Sequence, residues 1–492
     1  MKLEIVSPTE LVLSGFSEEQ ISSAKSVLTY TNKSAQFQLT KFKHNAWFAS
    51  KYGEEAYQEK LQEMKNETKV CLLKEAPDGT FRTYSGLGGL LSRTFHIPVE
   101  NSVCFPKPTP IGWNVPPPFS MYFYQKEALD ALLAAKHAGV EIGTGLGKSL
   151  IISHLTLELG LKTIVMAPSS QIAEQLFESF IDLFGKKRVG KCFGKTKDYK
   201  KLITVCLPQT LINFKPGSPQ YDTLSKTQVF IADESHTLPA KTLADVCFGL
   251  IKDAPYRFFF SATQMRNDGA DKLLDGIVGP IVYKKTVREG VDEGFLAKPV
   301  FKMIQVESND QFFSTDANAM TRKHLYYNSD VIKKAASLAN GFLQYFDHKV
   351  LILIEEVEQF TKLYPNLKFS PGFAHGPLGE NRAKVPKDFW ESDPNALVKE
   401  FNEGDLKLLI GTSCISTGTD IRPVNTIIYL MGGKSEIQVK QAIGRATRKT
   451  ATKNVCNFID FDIINIPMIH KHAVARKEIY NEVYGPVTYM DS

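Results

Sequence analysis

The sequence has little that would suit a membrane protein or a disulfide-stabilised one. No apolar run reaches the roughly 18 residues that a membrane-spanning helix needs, and Glu4 stands where a signal peptide would have its apolar core. The 7 cysteines are widely spaced and form no Cys-x-x-Cys pair, which argues against a disulfide framework and against a structural zinc site. We therefore expect a soluble, cytoplasmic protein with reduced cysteines.

The sequence also lacks a strong excess of charge of either sign. Lysine and arginine number 59 against 53 acidic residues, which gives a net charge of +6 at pH 7. This balance permits an anionic partner such as nucleic acid but does not demand one. No HD or PD…ExK pattern of a nuclease is present. With 492 residues, of which 43% are hydrophobic, the chain has room for about three globular domains.

Changes in composition divide the chain into four predicted parts. Residues 1–110 indicate a small α+β unit, because Ser17 and Gln20 form a capping-box pattern and an Asp-Gly turn separates two strand patterns. Six prolines within residues 105–119 predict a stiff, extended linker. Residues 111–290 and 291–465 alternate short buried strands with amphipathic helices, which predicts two α/β lobes built on parallel sheets with helices on both faces. Residues 466–492 form a predicted helical tail.

An Ile-Gly-Thr-Gly-Leu-Gly-Lys-Ser segment ending at Ser149 is the first candidate for chemistry. Gly145 and Gly147 would let backbone N–H groups turn towards phosphate oxygens. Lys148 could reach the β- and γ-phosphates of a nucleotide, and Ser149 could ligate Mg²⁺. The usual phosphate-loop pattern has a glycine where this chain has Ile142. A glycine-rich turn with a surface lysine is therefore the competing interpretation.

A carboxylate pair follows a predicted buried strand. Phe-Ile-Ala leads directly into Asp233 and Glu234, and two carboxylates at such a place are costly to bury unless a cation pairs with them. Asp233 would hold Mg²⁺, directly or through water, and Glu234 would position and activate the attacking water. An acidic loop is the alternative, although the spacing of 85 residues after Lys148 suits two strands of one lobe.

A glutamine and two arginines form the third candidate group. Gln441, Arg445 and Arg448 follow one another at spacings of four and three, which places them on one face of a predicted helix. Two arginines on one face can clamp a phosphate. A solvated basic helix face is the alternative interpretation, and Gly444 favours close approach of another lobe instead.

These motifs, in this order and with Ser-Ala-Thr at 261–263, resemble those of the superfamily 2 DExH helicases and translocases. The resemblance implies two RecA-like lobes that sandwich ATP with Mg²⁺. It implies catalytic roles for Lys148, Asp233, Glu234, Gln441, Arg445 and Arg448, with the last two as arginine fingers. The implied nucleotide contacts are Gln125, which would read adenine, the loop residues Thr144, Gly145, Leu146, Gly147, Lys148 and Ser149, and Gly418 and Asp420 of the second lobe.

Further motifs of the same family imply contacts with a nucleic-acid strand. The positions concerned are Pro168, Ser169, Gln209, Thr210, Arg266 and Thr412. The chain is also similar to the phage UvsW-type helicases, which remodel branched DNA, and the crossover into the second lobe at residues 293–306 is part of that similarity. This resemblance implies DNA forks or junctions as partners and 3′→5′ movement, and we expect a monomer.

The predicted N-terminal unit carries basic residues interleaved with aromatic ones. Lys43 and Trp47 belong to this stretch, and such a mixture suits a nucleic-acid-binding surface. A half-buried strand with solvated lysines explains the same residues equally well.

Three functions follow from the sequence as alternatives. The first is an ATP-dependent DNA helicase or translocase that remodels branched DNA by fork regression, branch migration or unwinding. The second is an RNA helicase or a duplex translocase on the same ATPase engine. The third, a non-catalytic nucleic-acid-binding module, predicts damage to the lysine, the carboxylates or the arginines, and all of these are present.

Overall fold

The computed structural model describes residues 1–43, 46–117, 120–235, 240–262, 271–416, 421–450 and 453–490. Contacts divide the chain into two compact units, Met1–Ile142 with Gly147–Lys284 and Gly143–Leu146 with Lys285–Ser492. Within the described ranges, no helix combines the length and the apolar character that crossing a membrane requires.

The first unit begins with a small α+β part, as the sequence predicts. Its main sheet has the order β5-β6-β2-β1-β7, and leucines that alternate along β1 and β2, such as Leu3, Leu11 and Leu13, form its core. The predicted capping box is confirmed, because Ser17 and Gln20 bond reciprocally at the start of α1. The elements are β1 Lys2–Ser7, β2 Glu10–Ser14, α1 Glu18–Val27, β3 Thr29–Thr31, α2 Lys33–Phe42, α3 Ala46–Tyr52, α4 Glu54–Glu67, β4 Lys69–Cys71, β5 Lys74–Glu75, β6 Phe81–Tyr84, α5 Gly88–Phe95 and β7 Val99–Asn101.

A seven-stranded sheet in the order β10-β11-β9-β12-β13-β8-β14 forms the rest of the first unit. The pairs from β10 to β8 are parallel, as the alternation of short buried strands with helices predicts. The elements are α6 Phe123–Ala135, β8 His137–Ile142, α7 Lys148–Leu159, β9 Thr163–Met166, α8 Ser170–Phe184, β10 Val189–Cys192, β11 Ile203–Cys206, α9 Pro208–Ile212, α10 Pro219–Leu224, β12 Val229–Ala232, α11 Ala240–Asp245, β13 Tyr256–Ser261, α12 Asp271–Val278 and β14 Ile281–Lys285.

The N-terminal sheet is packed against the larger part of its own unit. The rings of Tyr84 and Phe248 stack with their centroids 4.3 Å apart. Lys272 of α12 donates hydrogen bonds to the carbonyls of Val27 and Thr29, at 2.5 and 2.8 Å. These carbonyls lie at and just beyond the C-terminal end of α1, where a cation is favourable.

The described part of the proline-rich segment, residues 105–117, is a strap packed on the rest of its unit and not a free linker. The Thr109 N–H donates to the carbonyl of Leu159 at 2.8 Å, and the Trp113 ring stacks on Phe184 at 5.4 Å. At Gly160, where φ is +57°, a Cβ would lie 1.8 Å from the Thr109 carbonyl oxygen. The linker prediction is therefore wrong, because proline content sets the stiffness of a segment and not what it packs against.

The second unit contains another seven-stranded sheet, in the order β17-β18-β16-β19-β20-β15-β21 with parallel pairing throughout the described ladders. Alternate residues of β16 enter different cores, Ile352 one and Leu351 the other, so both faces of the sheet are covered. The elements are α13 Val287–Asp292, β15 Lys298–Val306, α14 Ala317–Thr321, α15 Ser329–Phe346, β16 Val350–Ile354, α16 Val357–Leu363, β17 Gly372–Ala374, α17 Pro394–Glu403, β18 Leu408–Gly411, α18 Ser413–Ser416, β19 Thr426–Leu430, α19 Glu436–Ala446, β20 Val455–Ile463, α20 Pro467–Tyr484 and β21 Thr488–Met490. The predicted fold class, two parallel-sheet lobes after a small N-terminal α+β region, is confirmed.

Candidate active site

The glycine-rich loop joins strand β8 to helix α7. Gly145 and Gly147 have φ angles of +90° and +82°, in the left-handed region that glycine adopts without strain. A Cβ on Gly147 would lie 2.2 Å from Nε2 of Gln125, so a side chain here would have to displace that amide as well as adopt a strained φ. Ile142 is fully buried at the end of β8. Its place in the sheet explains why an apolar residue stands there.

Lys148 is the first residue of α7 and points inwards. Its Nζ lies 2.9 Å from Oε1 of Glu234 and donates to the carbonyl of Ile142 at 3.3 Å. Both ionic side chains are largely buried, with 9% and 16% of their surface exposed. The lysine is therefore not a surface residue, which removes the basis of the alternative interpretation.

Asp233 and Glu234 leave the sheet directly after β12. Asp233 is buried, and its Oδ1 accepts a hydrogen bond from the N–H of Glu234 at 3.0 Å. Burial and the neighbouring charge of Glu234 raise the pKa of Asp233 to about 7, against the opposing effect of Lys148. A divalent cation would relieve this unfavourable pairing of carboxylates. Glu234 adopts a positive φ of 46°, which is uncommon for a residue with a side chain.

The donor set near the loop fits Mg²⁺. This ion commonly takes one or two protein ligands and completes its octahedron with phosphate and water oxygens. Asp233 offers a buried carboxylate, and Ser149 lies one residue into α7 with an exposed side chain. These two residues could hold the ion, which would neutralise charge on the transferred phosphoryl group.

Gln125 lies close to the loop, although the sequence places it 22 residues before Gly147. It is buried in the first turn of α6, and its Oε1 accepts from the Tyr122 N–H at 2.9 Å. This bond satisfies the backbone N–H of the residue that precedes the helix. A role in reading adenine stays a prediction, and the structure places the amide beside the phosphate loop.

Helix α19 carries two of the three residues predicted for the arginine group. Arg445 is buried, and its Nη1 donates to the carbonyl of Gln441 at 2.9 Å. Burial, together with the charge of Arg448, lowers the pKa of Arg445 to about 9, so an anion placed here would be favourable.

The prediction that Arg448 shares this helix face is wrong. Helix α19 ends at Ala446, and Thr447 caps it through a hydrogen bond from its hydroxyl to the Gly444 carbonyl at 3.2 Å. The Thr447 carbonyl then accepts from the Ala297 N–H at 2.7 Å. This bond draws the chain towards β15, so the spacing argument fails after the cap.

The residues predicted to contact a nucleic-acid strand lie at the carboxyl ends of parallel β-strands. Pro168 and Ser169 follow β9, and Ser169 caps α8 by accepting from the Ile172 N–H. Gln209 and Thr210 lie in α9, just after the neighbouring strand β11. Because adjacent parallel strands end at the same edge, these residues share one edge of the first large sheet.

The corresponding edge of the second sheet carries Thr412. It follows β18, and its N–H donates to the carbonyl of Ala374 at 3.2 Å. Gly418, Asp420 and Arg266 lie outside the described residues, and their predicted roles stay predictions.

Comparisons with known proteins identify the family to which the chain belongs. Residues 118–266 match a family model described as "Type III restriction enzyme, res subunit", and residues 333–450 match "Helicase conserved C-terminal domain". The chain is a superfamily 2 helicase. This confirms the resemblance indicated by the motifs, and it makes the protein an ATP-hydrolysing helicase.

Two curated relatives of the helicase match more than two thirds of the chain. The DNA 3′-5′ translocase XPB2 of Sulfurisphaera tokodaii is 24% identical over 388 residues, or 72% of this chain and 83% of that protein. The ATP-dependent DNA helicase uvsW of phage T4 is 22% identical over 357 residues, or 69% of this chain and 68% of that protein. Among solved structures, S. cerevisiae Dbp5 bound to RNA and ADP BeF3 shares the fold, with a TM-score of 0.53, 18% identity and coverage of 75% and 89%.

The N-terminal residues with predicted nucleic-acid contacts lie in the helical part of the helicase. Helix α2 begins after Asn32, whose side chain accepts from the Ala35 N–H, so the strand interpretation of this stretch is wrong. Lys43 follows α2, and Trp47 of α3 is 61% exposed. The ammonium of Lys51 lies 4.6 Å from the Trp47 ring centroid, so a basic group and an aromatic face are displayed together.

No sequence motif indicated a functional residue at the ends of β16 and β17 in the helicase. A cleft of about 510 Å³ opens beside the end of β16 and is lined by Arg322, Tyr327, Glu356 and Asn381 among others. Arg322 Nε pairs with Glu356 there at 2.5 Å. The rule that ligands bind at the carboxyl ends of parallel strands would have indicated this cleft.

Proposed function

We propose that the protein is an ATP-driven DNA helicase that moves 3′→5′ and remodels branched DNA by fork regression, branch migration or unwinding. The observation that supports the ATPase site is the largely buried group of Lys148, Asp233 and Glu234, with Lys148 directly after a glycine that adopts a left-handed φ. DNA as the substrate rests on the relatives described as a DNA translocase and a DNA helicase.

In this proposal the protein contributes position and charge to phosphoryl transfer. The loop N–H groups bind the phosphates, and Lys148 leaves Glu234 to reach the β- and γ-oxygens. Asp233 and Ser149 would hold Mg²⁺, which would supply positive charge to the transferred phosphoryl group. Glu234, released from the lysine, orients the attacking water and accepts its proton. Arg445 and Arg448 then stabilise the charge of the transition state as arginine fingers, and Gln441 assists them.

The residues predicted to contact the nucleic-acid strand would bind its phosphate backbone and give little sequence preference. Backbone N–H groups and hydroxyls at Ser169, Thr210 and Thr412 suit phosphate oxygens, which carry no sequence information. Lys43 and Trp47 offer charge and a stacking face for unpaired bases. We further propose that the protein acts as a cytoplasmic monomer on forks and junctions, with Gln125 as its adenine contact.

The test compares ATPase stimulation by forked DNA, duplex DNA, single-stranded DNA and RNA of equal length. The proposal predicts that forked DNA gives the largest rise in kcat/KM for ATP. Stimulation by RNA alone contradicts it and supports an RNA helicase on the same engine, and stimulation by duplex alone indicates a translocase that does not separate strands. Fork binding is also expected to weaken steeply between about 50 and 200 mM salt.

A further inference from the structure

Three buried side chains hold the backbone that leads into helix α19. This connection comprises residues 431–435 and is the covalent route from β19 to the helix that carries Gln441 and Arg445. Two adjacent glycines, Gly432 and Gly433, turn the chain here with φ angles of +63° and +69°. Glycines give such a turn no stiffness of their own, so its position must come from groups outside it.

These side chains donate hydrogen bonds to three closely spaced backbone carbonyls. The Leu430 carbonyl accepts from Nε2 of Gln359 at 3.0 Å. The Met431 carbonyl accepts from the hydroxyl of Tyr326 at 2.6 Å. The next bonded carbonyl, that of Gly433, accepts from Nη1 of Arg476 at 2.7 Å. The three donors come from separate parts of the second unit, and Gln359 and Arg476 are fully buried.

Arg476 is itself fixed by a buried ion pair. Its Nε and Nη2 donate to the two oxygens of Asp460 at 2.7 and 3.0 Å, and Nη2 also donates to the Phe461 carbonyl at 3.1 Å. Tyr480 adds a hydrogen bond to Asp460 at 2.8 Å. The guanidinium therefore cannot rotate without breaking several bonds, and its remaining arm is directed at Gly433.

Such a pair gives little stability compared with apolar packing. Replacing a buried ion pair with well-packed apolar side chains is often neutral or stabilising. The geometry instead suits a positional role, because a planar guanidinium holds its donors in fixed directions. Helix α20, which carries Arg476, is thereby connected to the turn at the start of α19.

We infer that Arg476, supported by Tyr326 and Gln359, is a positioning residue that sets helix α19 so that Arg445 can reach the transferred phosphate. This inference rests on the proposed role of Arg445 as an arginine finger. Misplacement of a catalytic group by about 1 Å can cost up to roughly 10²-fold in rate. Loss of one of the three bonds should therefore lower kcat by about 5- to 30-fold while leaving nucleotide affinity nearly unchanged.

The experiment uses the full chain and three substitutions. Arg476→Lys removes the fixed fork, and Tyr326→Phe removes a single hydroxyl while keeping the ring in place. Glu478→Gln, at an exposed position of α20, serves as the matched control. For each variant we would measure DNA-stimulated kcat and KM, the Kd of a fluorescent non-hydrolysable ATP analogue, and Tm.

The inference predicts lower kcat for Arg476→Lys and Tyr326→Phe, an analogue Kd within about twofold of the parent value, and parental kcat for Glu478→Gln. In single-turnover reactions, adding Tyr326→Phe to Arg445→Ala should cause no further loss, because the hydroxyl acts through that arginine. Parental kcat in Tyr326→Phe overturns the inference, even where Arg476→Lys fails to fold. An additive loss in the double variant overturns it as well. Parental kcat in Arg445→Ala would instead overturn the proposed finger.

Discussion

The ion pair between Lys148 and Glu234 predicts that Glu234→Gln binds nucleotide more tightly. The lysine ammonium cannot serve Glu234 and the phosphates with the same bonds, so binding ATP requires the 2.9 Å pair to break. At an effective dielectric constant of about 20, two charges at this distance attract by roughly 6 kcal/mol before desolvation is subtracted. Desolvation and the new phosphate contacts offset most of this energy. We expect a net gain of about 1–2 kcal/mol, or a Kd roughly 5- to 30-fold lower.

The assay is equilibrium binding of a fluorescent non-hydrolysable ATP analogue. Because the analogue is not cleaved, the loss of hydrolysis in the variant cannot trap it. Measurements with and without Mg²⁺ separate the release of Lys148 from effects on the metal, and the gain should persist without the ion. Glu174→Gln is the matched control, since Glu174 pairs with Lys191 elsewhere in the same unit. An unchanged or weaker affinity in Glu234→Gln without Mg²⁺ would mean that the ion pair does not compete with nucleotide for Lys148.

Three further predictions concern the phosphate loop, the N-terminal helices and the response to acid. Lys148→Ala should abolish ATP hydrolysis while sparing DNA binding, as measured by phosphate release and fork anisotropy. Trp47→Ala should weaken fork binding about 5- to 100-fold, the cost of one lost stacking contact, with ATPase activity in the absence of DNA unchanged. Burial, with a smaller contribution from the charge of Arg257, lowers the pKa of His137 to about 4. The neutral ring therefore contributes stability above pH 6.5 that is lost as the pH falls towards 4, by about 2–3 kcal/mol. His137→Gln should flatten this part of a pH series of urea unfolding curves.

Each of these predictions has a clear contrary result. Turnover of ATP by Lys148→Ala would remove the lysine from the phosphate site. Unchanged fork affinity in Trp47→Ala would mean that the exposed ring does not contact the DNA. A pH dependence of unfolding in His137→Gln equal to that of the parent would mean that this histidine is not the group that titrates.

Sequence patterns predicted the features that depend on local chemistry. Strands such as β9 and β12 are short apolar runs that end in small or polar residues, and buried parallel strands require this composition. The glycines at 145 and 147 follow from the backbone conformation that a phosphate loop needs. The sequence predicted one site for Lys148 and the two carboxylates, because burying any of these charges without a partner costs free energy.

The features that the sequence did not predict depend on tertiary contacts. Helical spacing put Arg448 on α19, but the Thr447 cap and its bond to Ala297 end the helix first. The stiffness of the proline-rich segment predicted a linker. The chain instead forms a strap there, because Gly160 leaves room for the Thr109 carbonyl. The contact of Arg476 with Gly433 joins residues 43 positions apart, and a single sequence carries no signal for such a pair.

Fork regression, measured with a fluorescently labelled fork whose arms are homologous, tests most directly whether the protein remodels branched DNA with ATP. Regression pairs the two nascent strands and releases a duplex that a gel resolves. We expect the protein to form this product with ATP. A non-hydrolysable analogue should give none, and Lys148→Ala should give none although it still binds the fork. Absence of the product with ATP, together with active unwinding of an RNA duplex of the same length, would show that the protein is not a fork-remodelling DNA helicase.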